Sequence, residues 1–107
     1  MDNDPSRDVQ SEIVSAVSAN NVVLFMKGTP QFPQCGFSAS AVKMLSDAGV
    51  GGFSFVNVLE DQQMREGIKQ FSSWPTIPQL YVNQEFVGGA DIMREMQQSG
   101  ELARLLK

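Results

Sequence analysis

Five consecutive apolar residues, Val22-Val23-Leu24-Phe25-Met26, restrict the fold more than any other part of this chain. The run is short, rich in β-formers and apolar on both faces that an extended strand presents. Such a strand belongs in the middle of a sheet covered on both sides, as in parallel α/β architectures. It is also the longest unbroken apolar run in the sequence. A membrane span needs about 20 such residues, so none is encoded.

The remaining segments supply the cover. Val9, Ile13, Val14 and Val17 recur at helical spacing behind Asp4-Pro5, which reads as cap and first turn. They predict a helix over about 6–19, ended by Asn20-Asn21. Gly28, Thr29, Pro30 and Pro33 make a loop, and Phe37, Ala41, Met44, Leu45 and Ala48 then follow helical period up to Gly49. Phe53 to Val58 reads as a second strand, and Met64, Ile68 and Phe71 as a helix face behind Asp61. Leu80-Tyr81-Val82 and Glu85-Phe86-Val87 flank Asn83-Gln84 as a hairpin. Asp91 caps a helix carrying Ile92, Met93 and Met96, and Leu102, Leu105 and Leu106 finish a short last one. The order α, β, α, β, α, β, β, α, α demands parallel pairing and a right-handed crossover in its strand–helix–strand part. The economical packing is α/β, a four-stranded mixed sheet flanked by helices on both faces. At 107 residues, with no repeat or linker, the chain reads as a single domain over 1–107.

Composition removes several classes of function. Hydrophobic residues make up 42% and charged residues 19%, as in ordinary globular proteins, which argues against disorder. Eight basic against twelve acidic side chains leave a formal charge of −4 and no basic stripe for nucleic acid. There is no histidine, hence no Cys–His or Ser–His pair, no His-ligated zinc and no Rieske-type centre. One cysteine excludes an internal disulfide and suits a reducing compartment. The acidic start, with Asp2, Asp4, Asp8 and Glu12 against Arg7, resembles neither a secretory signal nor a transit peptide. Either the chain stays where it is made, or a leader has been removed.

Chemistry concentrates at a few places. Cys35 follows the first strand and its loop and opens the second helix, where first-turn N–H groups and the helix dipole favour a thiolate. Lys27 adds positive charge. The alternative is a buried structural thiol; the loop setting, Gly36 and the helix start favour the reactive one. In Cys35-Gly36-Phe37-Ser38 the second position of a Cys-x-x-Cys motif is serine, so only exchange with an external thiol remains. In Trp74-Pro75-Thr76-Ile77-Pro78, a cis Ile77–Pro78 bond would turn the Ile77 backbone outward to pair with an extended ligand; a plain rigid turn is the other reading. Gly88-Gly89-Ala90-Asp91 is either an anion-binding helix start or an ordinary strand–helix connection capped by Asp91. Arg65 and Lys69, one helical turn apart, are either a solvated face with Glu66 and Asp61 nearby or a carboxylate clamp. Met44, Met64 and Met96 sit at apolar helix positions and read as core filler.

Taken in order and spacing, Lys27-Gly28-Thr29-Pro30, Cys35-Gly36-Phe37-Ser38, Trp74-Pro75-Thr76-Ile77-Pro78-Gln79 and Gly88-Gly89-x-Asp91 resemble the single-domain monothiol glutaredoxins of the CGFS class, from about residue 10 to the end. The resemblance implies a thioredoxin-like fold, glutathione binding and a 2Fe–2S cluster bridged between two protomers. It implies storage or transfer of that cluster, with BolA-type proteins and apo iron–sulfur proteins as partners, in a bacterial cytoplasm or a mitochondrial matrix. By resemblance Cys35 is the cluster ligand and redox thiol, and Lys27 and Arg65 hold the glycine carboxylate of glutathione. Ile77 pairs through its backbone with the cysteinyl unit, Ala90 and Asp91 take the γ-glutamyl end, and Phe37 lines the site. Two positions depart from the class. Ala90 stands where relatives often have Cys or Ser, which removes a second thiol, and Gln84 replaces the usual hairpin glycine.

Stoichiometry agrees with the cluster reading. A 2Fe–2S cluster usually takes four protein thiolates. Two copies of this chain supply two, so two must come from outside, and glutathione is an abundant thiol. A cluster held half by non-covalent ligands should be labile, as a donor requires. The competing reading is an enzyme, a thiol transferase that removes glutathione from mixed disulfides by a monothiol route; the carrier reading is the favoured one. A third is a regulatory adaptor that senses cluster status through a partner protein.

Overall fold

Every residue of the first strand, β1 (Val22–Met26), is buried in the computed structural model, which describes residues 4–107. Asp2 of the acidic start lies outside the described residues. Alternation along β1 sends its side chains into two layers. Val22, Leu24 and Met26 join one apolar cluster with Ala41, Met44 and Leu45 of α2 (Gly36–Asp47), Met93 of α4 (Ala90–Ser99) and Leu102 of α5 (Glu101–Leu105). Val23 and Phe25 join the other, with Ile13 and Val17 of α1 (Val9–Ser18) and Met64 and Ile68 of α3 (Gln62–Ser72). Met44 and Met64 are thus core filler, as their spacing predicts. β1 pairs in parallel with β2 (Ser54–Asn57) and antiparallel with β3 (Gln79–Val82), which carries β4 (Glu85–Gly88) at the far edge. The order β2-β1-β3-β4 is the four-stranded mixed sheet with helices on both faces that the sequence predicts.

Local hydrogen bonding moves several boundaries from their expected places. α1 begins at Val9, because Asp8 accepts from the Ser11 N–H at 3.2 Å and caps the helix in place of Asp4-Pro5. Asp4 closes a turn instead, its carbonyl accepting from the Arg7 N–H at 3.2 Å. That start aims Ile13 and Val17 at the sheet and leaves Val14 exposed. β2 is shorter than the expected 53–58, since Val58 opens a single 3-10 turn. The cause is Asn57, whose Oδ1 accepts from the Leu59 N–H at 3.1 Å and from the Gly28 N–H at 2.9 Å. α4 is capped by Gly89 rather than Asp91, which falls in the first helical turn.

The N-terminal segment is clipped to α3. The Arg7 guanidinium donates to both carboxylate oxygens of Glu12 at 2.7 Å and to those of Asp61 at 2.6 and 2.8 Å. Hydrogen bonds from Arg7 hold both carboxyls below their ordinary pKa values. Asp61 also caps α3, its Oδ1 accepting from the Met64 N–H at 3.1 Å. Asp61 is therefore engaged by Arg7.

The β3–β4 hairpin has a two-residue turn, with Val82 opposite Glu85. Asn83 and Gln84 both have positive φ, 50° and 70°, the signature of a type I′ turn. Asn tolerates that region, whereas Gln pays the Cβ clash that glycine lacks. The substitution Gln84→Gly is expected to stabilise the fold by about 0.5–1 kcal/mol. Thermal unfolding would then show Tm raised by roughly 2–5 °C. An unchanged or lower Tm would show that the turn carries no such strain.

Candidate functional site

The loop that leaves β1 is held at both ends. The Lys27 N–H donates to the hydroxyl of Ser38 at 3.0 Å, and Gln34 donates back to the Lys27 carbonyl at 2.9 Å. Gly28, tied to Asn57, adopts φ 95°, and a Cβ there would lie 2.6 Å from the Phe32 carbonyl and the Gln34 nitrogen. Only glycine fits this reversal. The loop thereby returns the chain to Cys35, which stands at the N-cap of α2. Ser38, read in the sequence as a missing thiol, is fully buried and ties α2 to the end of β1.

Cys35 is partly exposed, which removes the buried structural reading. As a thiol it closes no capping hydrogen bond. Burial pushes its pKa up, but the N–H groups of Ser38 and Phe37, then Lys27 and the Ser38 hydroxyl, pull it down more strongly. The net pKa lies below the 9.0 of an unperturbed thiol. Two long helices whose N-caps do not line the site around Cys35, α1 and α3, have aspartate side chains as caps. The two that meet near it, α2 and α4, start at Cys35 and Gly89 with no side-chain cap hydrogen bond. Their first-turn N–H groups and dipoles remain available to an anion or thiolate.

These helix starts border a cleft of about 370 Å³. Lys27, Cys35, Phe37, Arg65, Ile77, Ala90 and Asp91, the candidate residues of the sequence, all line it, so the fold brings every one of them together. Lys69, Trp74, Thr76 and Ile92 line it too. Lys69 leans towards Glu66 at 3.6 Å, while Lys27 and Arg65 make no ion pair among the described residues. Asp91 is the single acid on the lining. Phe37 is 62% exposed and sits at the rim beside the thiol. The Ile77–Pro78 bond is cis, the first of the two readings offered for this segment, and the Ile77 backbone has no hydrogen-bond partner among the described residues outside the strand ladder, which starts at Gln79. The arrangement offers a carboxylate two unpaired cations, an ammonium one acid, and an extended chain one free backbone unit.

Sequence reasoning missed the residues that hold this lining in place. Asn57 and Ser38 are polar residues tied by side chain to the loop after β1, and Gln79 is a polar residue in an otherwise apolar strand. A lone polar residue adjoining the apolar run Leu80-Tyr81-Val82 was the one available signal.

The sequence profile of the family described as Glutaredoxin matches residues 22–87. The chain is 59% identical over 104 residues to a protein of Lachancea kluyveri named monothiol glutaredoxin-5, mitochondrial, with 95% of this chain and 73% of that protein covered. The solution structure of reduced poplar apo GrxS14 is similar at TM-score 0.79 and 46% identity, over 92% of this chain and 90% of that one. A buckwheat glutaredoxin solved in complex with glutathione shares the fold at TM-score 0.80 and 19% identity, over 92% and 86% of the two chains.

The charge arrangement around Cys35 leads to a direct expectation. The rate of alkylation by iodoacetamide should rise with pH through an inflection below 9.0, the thiolate being the reactive form. Lys27→Met should move that inflection upward, since it removes a cation that favours ionisation. A wild-type inflection at or above 9.0 contradicts the assignment.

Proposed function

The chain belongs to the monothiol glutaredoxins, and from that membership we propose that it binds glutathione in its cleft and uses it to carry a 2Fe–2S cluster between proteins. One observation carries the reading: the chain's sole thiol, favoured in its ionised form, stands at the mouth of a cleft whose charges complement a γ-glutamyl tripeptide. Glutathione has two carboxylates and one ammonium. Lys27 and Arg65 take the glycine carboxylate, and the Ile77 backbone pairs with the cysteinyl unit. The uncapped start of α4 at Ala90 takes the γ-glutamyl carboxylate, while Asp91 faces the ammonium. Phe37 covers the bound tripeptide at the rim. This pose puts the glutathione sulfur beside Cys35.

The cluster is cargo, and the donor set limits how it is held. Among the described residues no three His, Cys, Asp or Glu side chains gather as metal ligands. One chain gives one thiolate. Two chains and two glutathiones complete a four-thiolate set, so the loaded form is a homodimer. BolA-type proteins and apo iron–sulfur proteins are the proposed partners. The proposed setting is a reducing one, the bacterial cytoplasm or the mitochondrial matrix. Among the described residues no helix is long and apolar enough to cross a membrane.

A second reading, thiol transfer, rests on the exposure and lowered pKa of the same sulfur. The Cys35 thiolate would attack the glutathione sulfur of a mixed disulfide, forming a Cys35–glutathione disulfide and expelling the protein thiolate. A second glutathione thiolate would then attack that disulfide, giving oxidised glutathione and regenerating Cys35.

The two readings separate in one preparation. Anaerobic reconstitution with iron, sulfide and glutathione should give a coloured dimer with about one cluster per pair of chains. The colour should bleach on removal of glutathione and be absent in Cys35→Ser. A colourless monomer from intact Cys35 protein excludes the carrier, and rapid turnover of a glutathionylated peptide by that same protein would favour the transferase.

A further inference from the structure

Gln79 is fully buried and is the first residue of β3. Its side-chain nitrogen donates to the Trp74 carbonyl at 3.2 Å and to the Thr76 carbonyl at 3.1 Å. Its oxygen accepts from the buried Tyr81 hydroxyl at 3.3 Å. The orientation of the amide is forced, because carbonyls only accept and both amide hydrogens are used on them. The other side of the segment is held as well. The Trp74 N–H donates to the Ser72 hydroxyl at 3.1 Å, and Ser72 donates to the Ile68 carbonyl of α3 at 2.9 Å. Trp74 leans on Phe86 at 5.9 Å, and Phe86 on Tyr81 at 5.5 Å. A satisfied polar network of this kind rigidifies the segment it holds.

The Thr76 carbonyl and the Ile77 N–H belong to one trans peptide plane, where they point in opposite directions. Gln79 draws the carbonyl inward, towards the core. The Ile77 N–H must then point outward, on the side where Trp74, Thr76 and Ile77 line the cleft. It has no acceptor among the described residues outside the strand ladder. We propose that Gln79 is a positioning residue that presets the Ile77 N–H as the donor for an extended ligand backbone. It touches no ligand itself; it fixes the peptide plane that does. Tyr81 supports it by occupying the amide oxygen. The proposal rests on the glutathione reading for the ligand, but its geometric part does not.

The test is a ¹⁵N amide spectrum of wild type, Gln79→Leu and Tyr81→Phe, taken free and titrated with reduced glutathione. Trp74 is the only tryptophan, so its emission reports on the same segment. In free wild type the Ile77 amide should exchange rapidly with water. In Gln79→Leu the Ile77 signal and the Trp74 emission should move, and glutathione affinity should fall roughly five- to tenfold, the scale of one lost hydrogen bond. Tyr81→Phe, which keeps the ring, should lie between. Val17→Ala, on the buried face of α1, controls for lost stability and should keep affinity within twofold at a comparable drop in Tm. A free spectrum and emission of Gln79→Leu that coincide with wild type overturn the positioning role, whatever glutathione does. Equal affinity in wild type and Gln79→Leu overturns it too. Absence of any glutathione-induced shift in wild type instead removes the glutathione reading, and the free spectra still decide the orientation of Ile77.

Discussion

Strand β1 is buried from end to end and shares hydrogen bonds with a neighbour on each side, and the rest of the molecule is arranged around that fact. Its two faces demand two apolar layers, which α2, α4 and α5 supply on one side and α1 and α3 on the other. A residue at the exit of such a strand inherits the rigidity of the core without being inside it. Lys27 is that residue, and the loop after it is pinned by Ser38, Asn57 and Gln34 before it delivers Cys35. The reactive sulfur thus stands on a rigid base.

Capping separates the helix starts that face the cleft from those that do not. α1 and α3 spend their first-turn donors on Asp8 and Asp61, and the second of these is locked by Arg7. α2 and α4 begin with a cysteine and a glycine and leave theirs open at the cleft. An aspartate cap at Cys35 or Gly89 would steady its helix by about 1 kcal/mol and would fill the site with negative charge. The chain forgoes that stabilisation where binding is proposed and takes it elsewhere, as expected of a functional site.

Much of this was legible in the sequence. The continuous apolar run of Val22 to Met26 specified a central strand, and the helix–strand order around it left few topologies open. The convergence of Lys27, Cys35, Arg65, Ile77, Ala90 and Asp91 was implied by the resemblance to monothiol glutaredoxins and not by any local pattern, since residues 27 and 91 meet only after the sheet forms. What escaped were competitions between neighbours. Asp8 outcompetes Asp4 because Ser11 stands where its carboxylate reaches, and Gly89 displaces Asp91 because the extended backbone there already ends the strand. Gln79 fell just outside the expected strand Leu80–Val82, and nothing local shows that its amide reaches back to the Trp74 and Thr76 carbonyls.

The uneven placement of charge has a kinetic consequence. The molecule carries a net charge of −4, yet Lys27, Arg65 and Lys69 gather at one opening that holds only one acid. A small anion wandering nearby is repelled by most of the surface and drawn towards that opening, so many of its collisions become productive ones. Such guidance operates over roughly a Debye length, about 8 Å at physiological ionic strength. Added salt therefore weakens this guidance, and for the anionic ligand proposed above it would slow arrival far more than departure.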